Sequence, residues 1–209
     1  MTAHAPLPYR IVRNLVVGFS KLYFRATYEG LDLVPAGAFI LSPIHRSNVD
    51  TLVAAGVTRR RMCFVGKAAM WKYRFTAAFF NAMGGIKVER GTTDRESMKA
   101  CIDALTRGEP VVVFPEGRRR SGPIVEDLFD GAAYMAAKAG VPIVPVGIGG
   151  SERAMSSHHK LPRPKKIHVI IGPPLPPPQG NSRRAQHETT EQLKKELQRL
   201  FDLAQARIA

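Results

Sequence analysis

The chain has 209 residues with a formal net charge of +14; 44% of them are hydrophobic, and 18 are glycine and 16 proline. That length suits one sizeable domain with a real core and many turns, and the charge calls for a polyanionic partner: nucleic acid, an anionic membrane surface or a phosphorylated substrate. Two cysteines, Cys63 and Cys101, share no metal-ligand spacing and sit among apolar neighbours, which excludes a disulfide framework and reads as buried thiols in a cytosolic protein.

In chain order, residues 8–25 read first as an amphipathic helix. Ile11, Val12, Leu15, Val16, Phe19, Leu22 and Tyr23 recur at helical spacing, while Arg10, Asn14 and Lys21 collect on the other side. Two readings stay open for it: a helix packed on the domain, or an interfacial helix whose basic residues flank an aromatic-rich apolar face. The apolar run 15–19, between Arg13 and Lys21, falls far short of the roughly 20 residues of a membrane span and is too short for a signal peptide. The protein is therefore expected at the cytoplasmic face of a membrane as a peripheral protein.

Short runs rich in β-branched and aromatic residues follow at 39–42, 61–65, 86–88, 110–114, 143–148 and 167–171. Helical patterns lie between them at 50–57, 68–83, 94–107 and 131–139. This alternation predicts an α/β fold: a single domain with a mostly parallel central sheet flanked by helices. Residues 172–178 (GPPLPPP) predict an extended connector. A last helix over 183–207 carries Leu193, Leu197, Leu200, Ala204 and Ile208 on one stripe, with Glu191, Lys194 and Lys195 outside. The expected division is an N-terminal helix within 1–30, a catalytic domain over 31–182 and a C-terminal helix over 183–209 packed on it.

Two constellations carry chemistry. SPIHRSNVDT, residues 42–51, puts His45 at a strand-to-helix turn five residues before Asp50. On one continuous helix the two would lie about 140° apart, so they meet only if His45 precedes the helix and Asp50 sits in its first turn. Ser47 or Asn48 is the expected N-cap. A histidine held by a carboxylate deprotonates hydroxyls, because the acid fixes the tautomer and stabilises the imidazolium. No serine lies in a G-x-S-x-G turn and neither cysteine neighbours a histidine, so direct attack by a substrate hydroxyl is simpler than a covalent acyl-enzyme. The second constellation, VVVFPEGRRRSG over 111–122, runs a core strand into Arg118, Arg119 and Arg120. Strand ends are where open α/β sheets bind ligands, and guanidinium forks suit phosphate oxygens. Glu116 there would orient an arginine or a ligand hydroxyl. GGIKVERG, residues 84–91, ends a strand on Arg90 in the same way.

Four blocks thus stand in order over residues 40–146: H-x-x-x-x-D from His45 to Asp50, G-x-I-x-V-x-R-like residues 84–90, F-P-E-G at 114–117, and V-P-I-x-P-V at 141–146. In these the chain resembles the PlsC-type glycerolipid acyltransferases, which act on 1-acylglycerol-3-phosphate or glycerol-3-phosphate. The resemblance implies His45 as base and Asp50 as its orienting partner. It implies Arg90, Glu116, Gly117 and Arg119 as the acceptor-phosphate site. It also implies an acyl-CoA or acyl carrier protein thioester as donor, no metal and no cofactor, an N-terminal helix docked on an anionic membrane, and 1-acylglycerol-3-phosphate as acceptor.

The chain departs from that pattern at Ile44, where Asn commonly precedes the histidine, at Arg118 and Arg120, which replace Thr and Ser, and at Asp130, often Lys. The extra arginines extend the anion site and leave room for another acceptor, glycerol-3-phosphate or a different lysophospholipid. Lys67 resembles a family lysine; it reads as a surface lysine, with a secondary phosphate contact as the other reading. Trp71, Phe75, Phe79 and Phe80 read as core, with an acyl tunnel as the other reading; the adjacent His158 and His159 are not read as ligands. A basic nucleic-acid binder, the competing class, would need a zinc-finger, helix-turn-helix or RNA-recognition signature that this sequence lacks.

Overall fold

The computed structural model describes residues 5–88, 95–156 and 161–208. The strands are β1 (Thr27–Glu29), β2 (Ile40–Pro43), β3 (Cys63–Lys67), β4 (Gly85–Val88), β5 (Val111–Val112), β6 (Ile143–Gly149) and β7 (His168–Ile171). They join in one sheet of order β1-β7-β6-β2-β5-β3-β4, parallel throughout except for the β6–β7 pair. Every residue of β2 and β6 is buried, as expected of central parallel strands covered on both faces. The helices are α1 (Leu7–Tyr23), α2 (Asp50–Ala54), α3 (Arg74–Ala82), α4 (Arg95–Thr106), α5 (Gly131–Ala139), α6 (Ser151–Ala154) and α7 (Arg183–Ala206). The α/β class and mainly parallel sheet are as the alternation predicts.

Several local expectations change. Strand β1 and helix α6, unforeseen, are short: β1 exists because it pairs with β7 along Thr27–His168 to Glu29–Ile170, a partner too distant in sequence to be read from pattern. The helix expected over 68–83 is broken into a 3₁₀ turn, Ala68–Trp71, and α3. None of Trp71, Phe75, Phe79 and Phe80, read as core from the sequence, is buried; Trp71 and Phe80 are partly covered. Phe75 is 84% exposed and Tyr73 and Phe79 also face outward, because α3 lies at the β4 edge of the sheet and no element among the described residues covers its outer side. The proline-rich connector is extended, with one bridge from Leu175 to Ile143.

Helix α1 divides its apolar residues between two sides. Tyr9, Val17 and Ser20 are buried against the domain, whereas Leu7, Ile11, Leu15, Phe19 and Leu22 are exposed, Leu22 to 85%. The inner side is tied down by Arg13, whose Nε donates to the carbonyls of Ala55 and Thr58 at 3.2 and 3.0 Å, and by Tyr9, whose hydroxyl accepts the Met62 N–H at 3.1 Å. The helix is thus packed on the domain and still carries an uncovered apolar stripe.

At the other end of the chain, α7 lies on β6 and buries Leu193, Leu197, Leu200, Phe201 and Ala204. Phe201 joins the expected stripe; Ile208, beyond the helix, is only partly buried. The approach is close because β6 presents glycines: a Cβ on Gly147 would collide with the Leu200 backbone, and one on Gly149 with the Ala204 carbonyl. That seating fixes the helix relative to the sheet, which matters for the site below.

Candidate functional site

Because β2 and β5 are adjacent and parallel, the turns that leave their carboxyl ends meet. These turns are residues 44–49 and 113–117. Parallel neighbours end on the same side of the sheet, the side on which open α/β sheets bind ligands. Ile44 is buried and its N–H donates to Val146 O at 3.1 Å, so the first turn is anchored to β6 as well.

His45 then stands at the mouth of the crevice with its side chain 18% exposed. Its Nδ1 lies 3.1 Å from Asp50 Oδ2, and its ring stacks on Phe114, centroids 4.0 Å apart. The Asp50 carboxylate is fully buried at the start of α2. The same Oδ2 accepts the backbone N–H groups of Arg46 and Ser47, at 2.7 and 2.6 Å. A charged acceptor gathering two N–H groups holds the turn closed, so the geometry that brings His45 to Asp50 is made by Asp50 itself. This replaces the expected cap: the α2 N-cap is Val49, without a side-chain bond. Ser47 Oγ instead accepts from Val49 N–H at 3.2 Å and donates to Met155 O at 2.6 Å.

Arg46, which no sequence motif singles out, is the largest fully buried side chain among the described residues. Its Nη1 donates to Glu116 Oε1 at 2.6 Å, and to His45 O at 3.4 Å. Nε donates to Gly122 O at 3.1 Å and Nη2 to Ile124 O at 2.9 Å; the plane lies over the Phe201 ring, 5.2 Å from its centroid. The other oxygen of Glu116 accepts the His45 N–H at 2.7 Å. Glu116 is completely buried, which corrects its assignment to the acceptor-phosphate contacts: a carboxylate at the end of a core strand needs an internal cation, and Arg46 is that cation. The signal was present in the sequence, since an acid following a buried strand demands a partner.

The arginine run is divided by the same logic. Arg120 is drawn inward: its N–H donates to His45 O at 2.9 Å and its guanidinium pairs with Glu126 at 2.5 Å. Arg118 and Arg119 are exposed on the segment that Arg120 fixes beside the histidine. Gly117 has φ +66°, and a Cβ there would meet the Phe129 ring at 2.6 Å, so both conformation and packing favour glycine at the turn. Lys67 is the last residue of β3, but its side chain lies outside the described residues, as do Arg90, His158 and His159. Asp130 is exposed, 3.6 Å from His187.

A cavity of about 520 Å³ runs from His45 between α1 and α3, lined among others by Val16, Leu52, Trp71, Phe79 and Met83. Its walls are mainly apolar, with Tyr9, Val12 and Val16 of α1 and Phe79 and Phe80 of α3 among them. A larger cavity, about 670 Å³, lies at the amino ends of β2, β3 and β5, around Arg60, Arg61 and Arg107. Its arginines are already engaged: Arg60 donates to carbonyls of Ala36, Gly37 and Gly108, and Arg61 pairs with Glu109 at 2.6 Å. No group of histidines, cysteines and carboxylates suited to a metal ion exists among the described residues.

Comparison with known proteins gives a family and a fold. A family model described as Acyltransferase matches residues 25–149. The chain is 27% identical to the 1-acyl-sn-glycerol-3-phosphate acyltransferase of Bacillus subtilis, over 71% of this chain and 72% of that protein. It is 34% identical to a 1-acyl-sn-glycerol-3-phosphate acyltransferase of Chlamydomonas reinhardtii, over 45% of this chain but only 29% of the relative's length. The fold matches the crystal structure of the 1-acyl-sn-glycerophosphate acyltransferase PlsC from Thermotoga maritima with a TM-score of 0.80. That match has 23% identity and covers 96% of this chain and 83% of that one.

The Arg46–Glu116 pair gives the test of this geometry. Glu116→Ala leaves a buried guanidinium without its counter-charge and is expected to lower the unfolding free energy by about 3–5 kcal/mol. Glu116→Gln keeps an acceptor oxygen and loses less. Urea-unfolding curves for the two variants check the ordering.

Proposed function

From the premise that this chain belongs to the acyltransferase family, we propose that it transfers a fatty acyl group from acyl-CoA or acyl carrier protein to the free hydroxyl of 1-acylglycerol-3-phosphate, forming phosphatidic acid. The observation that carries the reading is the His45–Asp50 contact at 3.1 Å at the mouth of an apolar cavity, with exposed arginines on the segment bonded to the histidine's carbonyl. With Nδ1–H directed at the buried carboxylate, the Nε2 lone pair is left for a substrate hydroxyl.

Nε2 takes the hydroxyl proton as the oxygen attacks the thioester carbonyl carbon. The tetrahedral intermediate collapses by breaking the carbon–sulfur bond, and the imidazolium returns its proton to the departing thiolate. Asp50 stabilises the imidazolium between those steps. Direct transfer is favoured because a thiol nucleophile is poorly prepared: burial, reinforced by the Glu109 carboxylate at 3.2 Å, pushes the Cys63 thiol up to about 12. Arg118 and Arg119 take the acceptor phosphate, and the cavity takes an acyl chain between Trp71, Phe79 and α1.

The uncovered stripe of α1, with Arg10, Lys21 and Arg25 exposed beside it, fits an anionic bilayer surface, where apolar side chains enter the headgroup boundary and basic ones remain with the lipid phosphates. Tyr73 and Phe75 of the α3 region are also exposed and would add apolar side chains to such a contact. No helix among the described residues is long and apolar enough to cross a membrane, so the proposed docking is peripheral.

Three measurements test the reading. His45→Ala is expected to lower acyl transfer by about 10²–10⁴-fold with the folded circular dichroism spectrum retained; undiminished turnover would remove the histidine from the mechanism. Arg119→Ala is expected to raise the KM for 1-acylglycerol-3-phosphate several-fold more than that for acyl-CoA, and a panel that includes glycerol-3-phosphate ranks the acceptors. Leu15→Glu combined with Leu22→Glu, both on the exposed stripe, is expected to reduce co-sedimentation with phosphatidylglycerol-containing vesicles; full co-sedimentation would place the membrane contact elsewhere.

A further inference from the structure

Residues 121–129 form neither helix nor strand, yet they continue directly from the arginine run. An irregular segment must find partners for its backbone groups outside any ladder, and here two side chains supply them alternately. Arg46 takes the carbonyls of Gly122 and Ile124. Gln198, on α7, takes the groups in between. Its Nε2 donates to Pro123 O at 3.0 Å, and its Oε1 accepts the Val125 N–H at 2.7 Å. Asp202, one turn further along α7, accepts from the same Nε2 at 2.8 Å and fixes the amide's orientation.

Nearby contacts repeat the arrangement along one side of the helix. Lys194 pairs with Asp127 at 2.5 Å, and Phe201 lies under the Arg46 guanidinium. Glu152 adds a carboxylate to the Gly122 N–H at 3.2 Å. Helix α7, which provides all of these groups except Glu152 of α6, is itself closely seated, since Gly147 and Gly149 let its backbone rest on β6. It lies wholly beyond residues 25–149, the span that carries the family match.

We infer that Gln198 is a positioning residue for acceptor binding: it fixes residues 122–125 from the α7 side, opposite Arg46, and so sets where Arg118 and Arg119 stand relative to His45. Buried Arg46 secures the segment to the histidine turn, and Gln198 secures it to the sheet through α7. Loosening the second attachment leaves the His45–Asp50 contact intact while the phosphate-binding arginines become less well placed. The inference rests on the proposed role of those arginines, so it separates acceptor affinity from the chemical step.

The test compares Gln198→Ala, Gln198→Glu and Arg119→Ala in steady-state assays with 1-acylglycerol-3-phosphate and acyl-CoA, alongside thermal unfolding. Losing two neutral hydrogen bonds in Gln198→Ala is expected to raise the acceptor KM by about three- to tenfold, with kcat and the acyl-CoA KM changed by less than about twofold. Gln198→Glu retains an acceptor for the Val125 N–H and loses the donor to Pro123 O, so its acceptor KM is expected between those of the parent and the alanine variant. An unchanged acceptor KM in Gln198→Ala, or a parallel change in both KM values, overturns the inference while leaving the proposed function standing if Arg119→Ala still raises the acceptor KM. If Arg119→Ala leaves that KM unchanged, the role of the arginines and the inference built on it fall together.

Discussion

The ion pair between Arg46 and Glu116 is the interaction on which the site depends. Both side chains are fully withdrawn from water, so each charge must be matched and each donor used. The pair meets that demand by joining the two turns that form the crevice. Glu116 reaches back to the N–H of His45, and Arg46 reaches forward to the carbonyls of Gly122 and Ile124. A hydrophobic pair of the same volume would fill the space, but it could not specify the register of one loop against the other, because dispersion contacts have no direction.

The sheet order explains why such a pair is available. β2 lies between β6 and β5, both parallel to it, so the loop after β2 is flanked on either side by elements running the same way. The histidine turn uses both neighbours: Ile44 bonds to β6, while His45 and Arg46 bond to the turn after β5. Asp50 closes the turn from within by collecting two backbone N–H groups and the imidazole on a single oxygen. The histidine is thereby held through its backbone, one ring nitrogen and one ring face, with its remaining nitrogen left over.

Around this rigid centre the ends of the chain take different parts. Helix α1 turns Tyr9, Arg13, Val17 and Ser20 toward the body and leaves Leu15 and Leu22 uncovered beside basic residues, so its two sides satisfy two surroundings. Helix α7 is wholly committed to the body, and the side chains on one of its edges complete the backbone bonding of a segment that has no secondary structure of its own. The arginine run is sorted by the same constraints: Arg120 is used internally with Glu126, whereas Arg118 and Arg119 remain exposed.

Local patterning by itself determined the α/β class, most element positions, the burial of the C-terminal stripe and the candidate blocks around His45, Asp50 and residues 114–117, because periodicity and turn chemistry are short-range properties written into consecutive residues. Only the tertiary structure decided which charged residue answers which. Glu116 stands 70 residues from Arg46 and Gln198 73 from Val125, separations over which a one-dimensional pattern carries no pairing information. It also decided which apolar residues of α1 and α3 are covered, since a hydrophobic stripe states that a face seeks a partner and not where one lies. Strand β1 was missed for the same reason: three residues become a strand when β7 is beside them, and burial of the histidine turn's arginine follows from the sheet order that places β5 next to β2.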